Sequence, residues 1–348
     1  MNNKINGKPA IKDIAAEADV AISTVSHVLN NRDIVSEKTR NKVLGAIKKL
    51  DYRPSVLARG LRTKHTNTIG IIVPDIADPY YGQVIKGMEE IASNRGYTLV
   101  FGCAYYNPEE EMRQIDLFVD HTVDGLIFLC GYDQYENIKK IRGENIPLVL
   151  VDRQINDPDI PSVLVDNALA IENAVDYLYK LGHRKIGYLT FSYEGQTTVK
   201  ERYEGYLKGL KKNGLKYNPD FVVIDDSIKL NEIKGTKELI ENFFSNKKLP
   251  TAFISFSDIP AIGLIKALDI MGYRVPEDIS VMGYANISLC EYVKPTLTTI
   301  KHPKKALGRI SMDLLLDIVE KRKIKNKRVI LPTELVVRDS TAHPGQKV

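Results

Sequence analysis

Between Ile11 and Asn31 the chain reads IKDIAAEADVAISTVSHVLNN. Four side chains of its second half, Ile22, Ser23, Ser26 and His27, are short or compact groups of the kind that reach base edges in a major groove. An aliphatic side chain can meet a thymine methyl, and a hydroxyl can donate to or accept from a base edge. A second polar set is spread over five segments: Asp75 to Tyr81, Asp152 with Arg153, Phe191 to Arg202, Phe256 to Asp258, and Ala285 with Asn286. Its hydroxyls, carboxylates, adjacent tyrosines and arginine suit capture of a polyhydroxylated or otherwise polar small molecule. Tyr80 and Tyr81 are equally readable as core aromatics.

Catalytic chemistry has no comparable support. No GxxxxGK phosphate loop, HExxH helix, GxSxG elbow or CxxC pair is present. Asp152 and Arg153 are adjacent, and neighbours in extended chain point to opposite faces, so they make a poor acid–base dyad. His183, in LGHRKIG, reads as a structural residue at a helix-to-strand turn. Cys103, Cys130 and Cys290 are far apart and odd in number, which indicates reduced core residues and neither a disulfide framework nor a metal cage. The expectation is no catalytic residue, no metal and no cofactor.

The elements that position the first set are short helices. Ile14, Ala15 and Ala18 fall at helical spacing, as do Val25, Val28 and Leu29 after a break at Asp19 to Ala21. Two apolar faces meeting across a three-residue turn predict a helix-turn-helix, with an ordinary helical hairpin as the alternative. Ser36 can cap a third helix whose stripe is Val43, Ile47 and Leu50. In YRPSVLARGLRTKHT, Pro54 stops that helix and Ser55 can cap a short one reaching Leu61 or Arg62. So short a helix is marginal alone and would order against a partner; a flexible linker is the alternative.

Charge separates this head from the rest. Residues 1–66 carry 13 basic and 6 acidic side chains, a net +7, leaving −2 for the remainder of a chain whose total is +5. A focused basic footprint is what phosphate contacts require; a solvated charged tail would look similar but lacks the regular apolar pattern. No run of roughly 18 apolar residues occurs. The polar start MNNKINGKP is unlike a secretion signal, so the expectation is a cytoplasmic protein without membrane contact.

From Thr68 onward short apolar runs alternate with amphipathic helices, which predicts mostly parallel sheets covered on both faces. The pattern runs once to Val151 and again from about Val163, so the fold class is an all-α head joined to an α/β core of two doubly wound subdomains. Predicted boundaries are 1–51 for the helix-turn-helix domain, 52–67 for hinge and linker, and 68–348 for the core. Within the core, the first subdomain is expected at about 68–162 plus 298–325 and the second at about 163–297 plus 326–340. Two such halves in series imply a ligand cleft at the carboxyl ends of their strands.

In order along the chain, IKDIAAEADVAISTVSHVLN, YRPSVLARGLRTKHTNTIGIIVPDIADPYY, VDGLIF, LGHRKIGYL, GYRVPEDISVMGY and PTLTTIKHP resemble the LacI/GalR family of bacterial transcriptional regulators, from Ile11 to about Arg338. The resemblance implies a periplasmic-binding-protein-like core and a homodimeric repressor of double-stranded operator DNA, controlled by a small sugar-like effector between the subdomains. It implies base reading by Ile22, Ser23 and His27, with Thr24, Ser26 and Asn30 completing the recognition helix. It also implies minor-groove insertion by Leu61 beside Ala58 and Arg59. Effector contacts fall on Asp78, Tyr80, Tyr81, Arg202, Ser257 and Asp258, with Asp152 and His302 as further polar contributors. His27 departs from the usual Arg, Ala21 from a frequent Ser, Ala285 from a frequent acid, Ser257 from a common Asn, and Leu230 from a common aromatic residue. Keeping Arg202 without an acid at 285 leaves an anionic sugar acid or sugar phosphate as a second effector class. A protein co-regulator docking near VKPTLTTI is a minor reading, and a ligand-binding module without DNA function is the runner-up; the latter would have no use for residues 1–62.

Overall fold

The computed structural model describes residues 9–29, 34–52, 65–129, 131, 135–155, 157–192, 194–228, 233–244 and 248–345. Asn30, Ala58, Arg59, Leu61, Cys130 and Leu230 lie outside them. Two compact units divide the chain, Met1–Thr66 and Asn67–Val348.

The first unit is a three-helix cluster: α1 (Ile11–Ala18), α2 (Ile22–Leu29) and α3 (Glu37–Lys49). Its core joins Ile14, Ala15 and Ala18 of α1 to Val25 and Val28 of α2 and to Val43 and Ala46 of α3. Both ends of the fold are set by local chemistry. Asp13 accepts from the Ala10 N–H at 2.7 Å at the start of α1, and the Ser36 hydroxyl accepts from the Thr39 N–H at 3.3 Å to cap α3. Asp19, in the left-handed region at φ 53°, ends α1 and turns the chain into α2.

The second unit holds two six-stranded sheets. In the first the order is β11 (Arg328–Leu331), β5 (Ser162–Val165), β4 (Leu148–Val151), β3 (Gly125–Leu129), β1 (Thr68–Val73) and β2 (Thr98–Cys103), all parallel. The second runs β12 (Glu334–Val336), β10 (Thr298–Lys301), β9 (Ser280–Ala285), β8 (Ala252–Ser255), β6 (Ile186–Thr190) and β7 (Val222–Ile224), antiparallel only at β10–β12. Runs such as GLIFL, LVLV and AFIS are buried throughout, as strands covered on both faces must be. The covering helices of the first subdomain are α4 (Pro79–Asn94), α5 (Pro108–Asp120) and α6 (Tyr135–Gly143), together with α11 (Lys304–Val319). Those of the second are α7 (Asn167–Lys180), α8 (Thr197–Lys212), α9 (Ile233–Phe243) and α10 (Asp258–Ile270).

The expected division of the core needs correction. Thr298–Lys301, expected in the first subdomain, pairs with β9 and β12 in the second sheet. Arg328–Leu331, expected in the second, pairs with β5 in the first. Val163, expected to begin the second series, lies in β5 and pairs with Val151 of β4. Each of these strands is only four residues long, and so short a segment carries no local mark of which sheet will accept it. The chain therefore passes between sheets three times, at 166, at 302–303 and at 332–333. No helix among the described residues is long and apolar enough to cross a membrane.

Candidate functional site

On the three-helix unit, packing decides which side chains of α2 face outward. Val25 and Val28 turn into the core, which leaves Ile22 52 % exposed and Ser23 exposed beside it. Thr24, Ser26 and His27 are half-buried on the flanks. Ile22 and Ser23 thus present an aliphatic group and a hydroxyl side by side at the start of α2.

The second candidate site is a cavity enclosing roughly 580 Å³ of empty space, its mouth included, between the two subdomains of the α/β unit. Asp78, Tyr80, Tyr81, Tyr106 and Asp152 line it from the first subdomain, while Phe191, Arg202, Phe256, Ser257 and Tyr284 do so from the second. Most of them stand at or just after the carboxyl ends of parallel strands, whereas Arg202 reaches in from α8. Tyr106, Asp152 and Ala285, all on the wall, hold left-handed φ values of 51°, 47° and 117°. Non-glycine residues pay about 1–3 kcal/mol for such conformations, and the surrounding contacts must supply it.

Those contacts form one network. Arg202 donates from Nε to Asn167 Oδ1 at 3.0 Å, from Nη1 to the Phe256 carbonyl at 3.0 Å and from Nη2 to Asp152 Oδ2 at 3.4 Å. Its guanidinium lies over the Tyr284 ring, 4.2 Å from the centroid. Tyr284 Oη donates to Asn167 Oδ1 at 2.7 Å, which fixes the amide so that Nδ2 donates to Asp152 Oδ1 at 3.4 Å and to Glu201 Oε2 at 3.1 Å. Tyr80 Oη donates to Asp152 Oδ2 at 3.3 Å and lies 3.4 Å from His302 Nδ1. Burial raises the Glu201 carboxyl and lowers His302 well below the ordinary imidazole value, the Arg202 charge adding to the latter. The opposite wall is aromatic: Tyr106 and Phe191 meet edge-on at 5.9 Å, Phe191 and Phe256 at 4.8 Å, and Tyr81 Oη is 3.1 Å from Tyr106 Oη.

All eight residues expected from the sequence to contact an effector therefore lie on this wall. Their tasks differ. Asp258 is buried with Oδ1 accepting from the Thr299 hydroxyl at 2.5 Å and Oδ2 from the Ile287 N–H at 2.9 Å, so its carboxylate holds the turn after β9. Asp78 caps α4 through the Tyr80 N–H at 2.8 Å. Beside the turn after β9, where relatives are expected to bring an acid at 285, Lys304 Nζ donates to the Ala285 and Asn286 carbonyls at 2.5 and 2.8 Å. Tyr106, Asn167 and Tyr284 escaped the sequence reading. The carboxyl-end rule for parallel strands would have reached each, since they follow or close β2, β5 and β9. Arg153 sits apart from the cavity wall, against Glu111 in the first subdomain.

Comparison with known proteins agrees with this architecture. Residues 10–55 match the model of bacterial regulatory proteins of the lacI family, and residues 175–341 match the periplasmic binding protein-like domain. The chain is 33 % identical over 332 residues to the HTH-type transcriptional repressor CytR of Escherichia coli (strain K12), covering 95 % of this chain and 96 % of that one. The chain belongs to the LacI family. Among solved structures, the lac repressor dimer bound to operator and the anti-inducer ONPF superimposes with a TM-score of 0.81 at 26 % identity, over 96 % of this chain and 99 % of that one. The CelR–cellobiose complex does so with a TM-score of 0.70 at 27 % identity, over 96 % and 100 %. This LacI-family protein is accordingly a DNA-binding transcription repressor with an effector-binding core, and not an enzyme.

Proposed function

We propose that this LacI-family protein acts in the cytoplasm as a homodimer whose operator affinity is set by a small, polar, sugar-like effector bound in the interdomain cavity. The observation that carries this reading is the position of Asn167 and His302. Each sits where the chain crosses between subdomains, and each is tied into the cavity network, so occupancy and the relation of the two halves depend on the same side chains. Ile22, Ser23 and His27 read bases, and Leu61 with Ala58 and Arg59 enters the minor groove. CelR with cellobiose supports a sugar-like ligand, and the lac repressor dimer supports a two-fold assembly. Apolar groups on the outer edges of the sheets, Phe101 at β2 and Ile224 at β7, 42 % and 46 % exposed, suit a contact with a second copy.

The anionic effector class is less well supported. Arg202 already faces Asp152, and Asp78 and Asp258 stand on the same wall, so an added carboxylate or phosphate would meet no uncompensated positive charge. Selection of genomic fragments by the full-length protein at fixed salt tests the DNA reading, with enrichment of a near-palindromic site expected. Absence of sequence preference over random competitor DNA would refute it. Sedimentation of the protein should give a dimer, and a monomer on operator would remove the two-fold part.

A further inference from the structure

From the end of α11 to the start of β11 the chain reads KRKIKNKR, Lys321–Arg328, with six cations and no carboxylate. Residues 67–348 sum to −2, so without these six charges the core would stand at −8. A net-negative core thus carries one strongly positive loop. It is held in place: Ile324 packs on the core beside Val329, and the Ser162 N–H donates to the Lys327 carbonyl at 2.7 Å. Its cations differ in their engagement. Arg322 pairs with Glu320 at 2.8 Å, Lys327 pairs with Asp159 at 2.7 Å, and Arg328 donates to Gln154 Oε1 at 2.7 Å. Lys321, Lys323 and Lys325 are exposed and form no ion pair among the described residues. The strand this loop enters is parallel to the rest of the first sheet, which puts the loop at the sheet's amino edge. The chain from the helix-turn-helix unit enters at that same edge, through Asn67 before β1. The Thr98 N–H donates to the Asn67 carbonyl at 2.8 Å, and Arg95, three residues earlier, reaches Glu320 Oε2 at 2.8 Å. The basic loop therefore starts beside the entry point and runs along the edge to β11, four strand steps from β1, or roughly 19 Å at about 4.8 Å per step.

We propose that Lys321, Lys323 and Lys325 are a second DNA contact of this LacI-family protein, made by the core to backbone phosphates that flank the segment read by α2. The sequence-reading unit is covalently joined to the core at this edge, so the edge is the part of the core that chain connectivity keeps closest to bound DNA. Lysine ammonium groups are point charges on flexible stems, and phosphates carry no sequence information. The contact therefore adds affinity and salt dependence without base preference. Anchoring by Ile324 orders the loop beforehand, so little chain ordering opposes the contact. An anionic lipid surface shares the charge of DNA but is gripped best by cations interleaved with apolar side chains that insert. The one apolar residue of the loop before β11, Ile324, is turned into the core instead.

Salt titration of the full-length protein tests this, on a random-sequence duplex and on a genomic fragment that the protein selects. Each lysine that meets a phosphate carries about 0.9 of the slope of log affinity against log salt. Joint replacement Lys321→Gln, Lys323→Gln and Lys325→Gln should flatten that slope by about 2 or more and weaken both complexes at least tenfold at about 0.1 M salt. Lys323→Gln alone should remove about 0.9 of it, and the three lysines changed together to Arg, which keeps the charge, should retain the wild-type slope. The melting temperature of the DNA-free protein should not move, since these side chains are exposed and unpaired. An unchanged slope in the Gln variants overturns the core contact and leaves base reading by α2 standing. Loss confined to the selected fragment also overturns it, because backbone contacts serve both duplexes. Flotation with phosphatidylserine vesicles that is lost in the triple Gln variant, with the DNA slope intact, would assign the loop to a membrane surface and overturn it equally.

Discussion

The guanidinium of Arg153 lies against the carboxylate of Glu111, Nη1 to Oε2 at 3.0 Å and Nη2 to Oε1 at 3.2 Å, with both groups out of solvent. Asn137 donates a further hydrogen bond to Glu111 Oε1 at 2.9 Å, and Phe128 presents its ring to Arg153 at 5.3 Å. This pair joins α5 to the segment leaving β4. The residue it anchors there is the immediate neighbour of Asp152, which has a left-handed backbone and lines the cavity between the subdomains. Adjacent residues thus serve opposite sides of one loop.

Removing one partner of such a pair strands a buried charge. Glu111→Gln is expected to destabilise the α/β unit by about 3–5 kcal/mol, read as a lowered urea midpoint. A midpoint equal to wild type would mean that the pair does not anchor the loop.

The approach of α4 to α11 leaves no room for a side chain at Gly308. A Cβ there would overlap the Val84 carbonyl, just as one at Gly87 would overlap the Lys305 carbonyl. Gly308→Ala should therefore force the helices apart and cost about 1–3 kcal/mol in spite of alanine's higher helix propensity. Denaturant unfolding of the variant checks both sign and size.

Burial pushes His183 down to about 4, from an ordinary 6.5. Its Nδ1 lies 2.9 Å from the Thr251 hydroxyl, and its Nε2 lies 2.9 Å from the Ala342 carbonyl. As pH falls below 6.5 the unfolded chain takes up this proton and the folded chain does not, so the stability contribution is complete above 6.5 and is lost progressively toward pH 4. His183→Gln should flatten the fall in melting temperature over that window. An unchanged slope would show that His183 protonates equally in both states.

For operator binding, Leu61→Ala should weaken specific complexes more than non-specific ones, because a minor-groove wedge acts on a deformed site and the phosphate contacts do not require one. Competition against random DNA at fixed salt separates the two. Equal losses would assign Leu61 to general affinity.

By itself, the sequence determined the local and periodic features of this protein. Helical spacing marked Ile14, Val25 and Val43 for one small core, Ser36 announced a cap, and the alternation after Thr68 set a twice-run α/β pattern with its ligand loops. These follow from contacts a few residues apart, or from burial that leaves a repeating apolar trace. Only the tertiary structure decided which sheet accepts Thr298–Lys301 and Arg328–Leu331, and that Asp258 is occupied in holding the turn after β9. Pairing partners and hydrogen-bond satisfaction depend on groups as far apart as Tyr80 and His302, and no spacing along the chain records them. The opening group of Ile22, Ser23, Ser26 and His27 was legible as a helix from its neighbours. That Ile22 and Ser23 stand exposed while Ser26 and His27 are half-buried was settled by packing against α1 and α3.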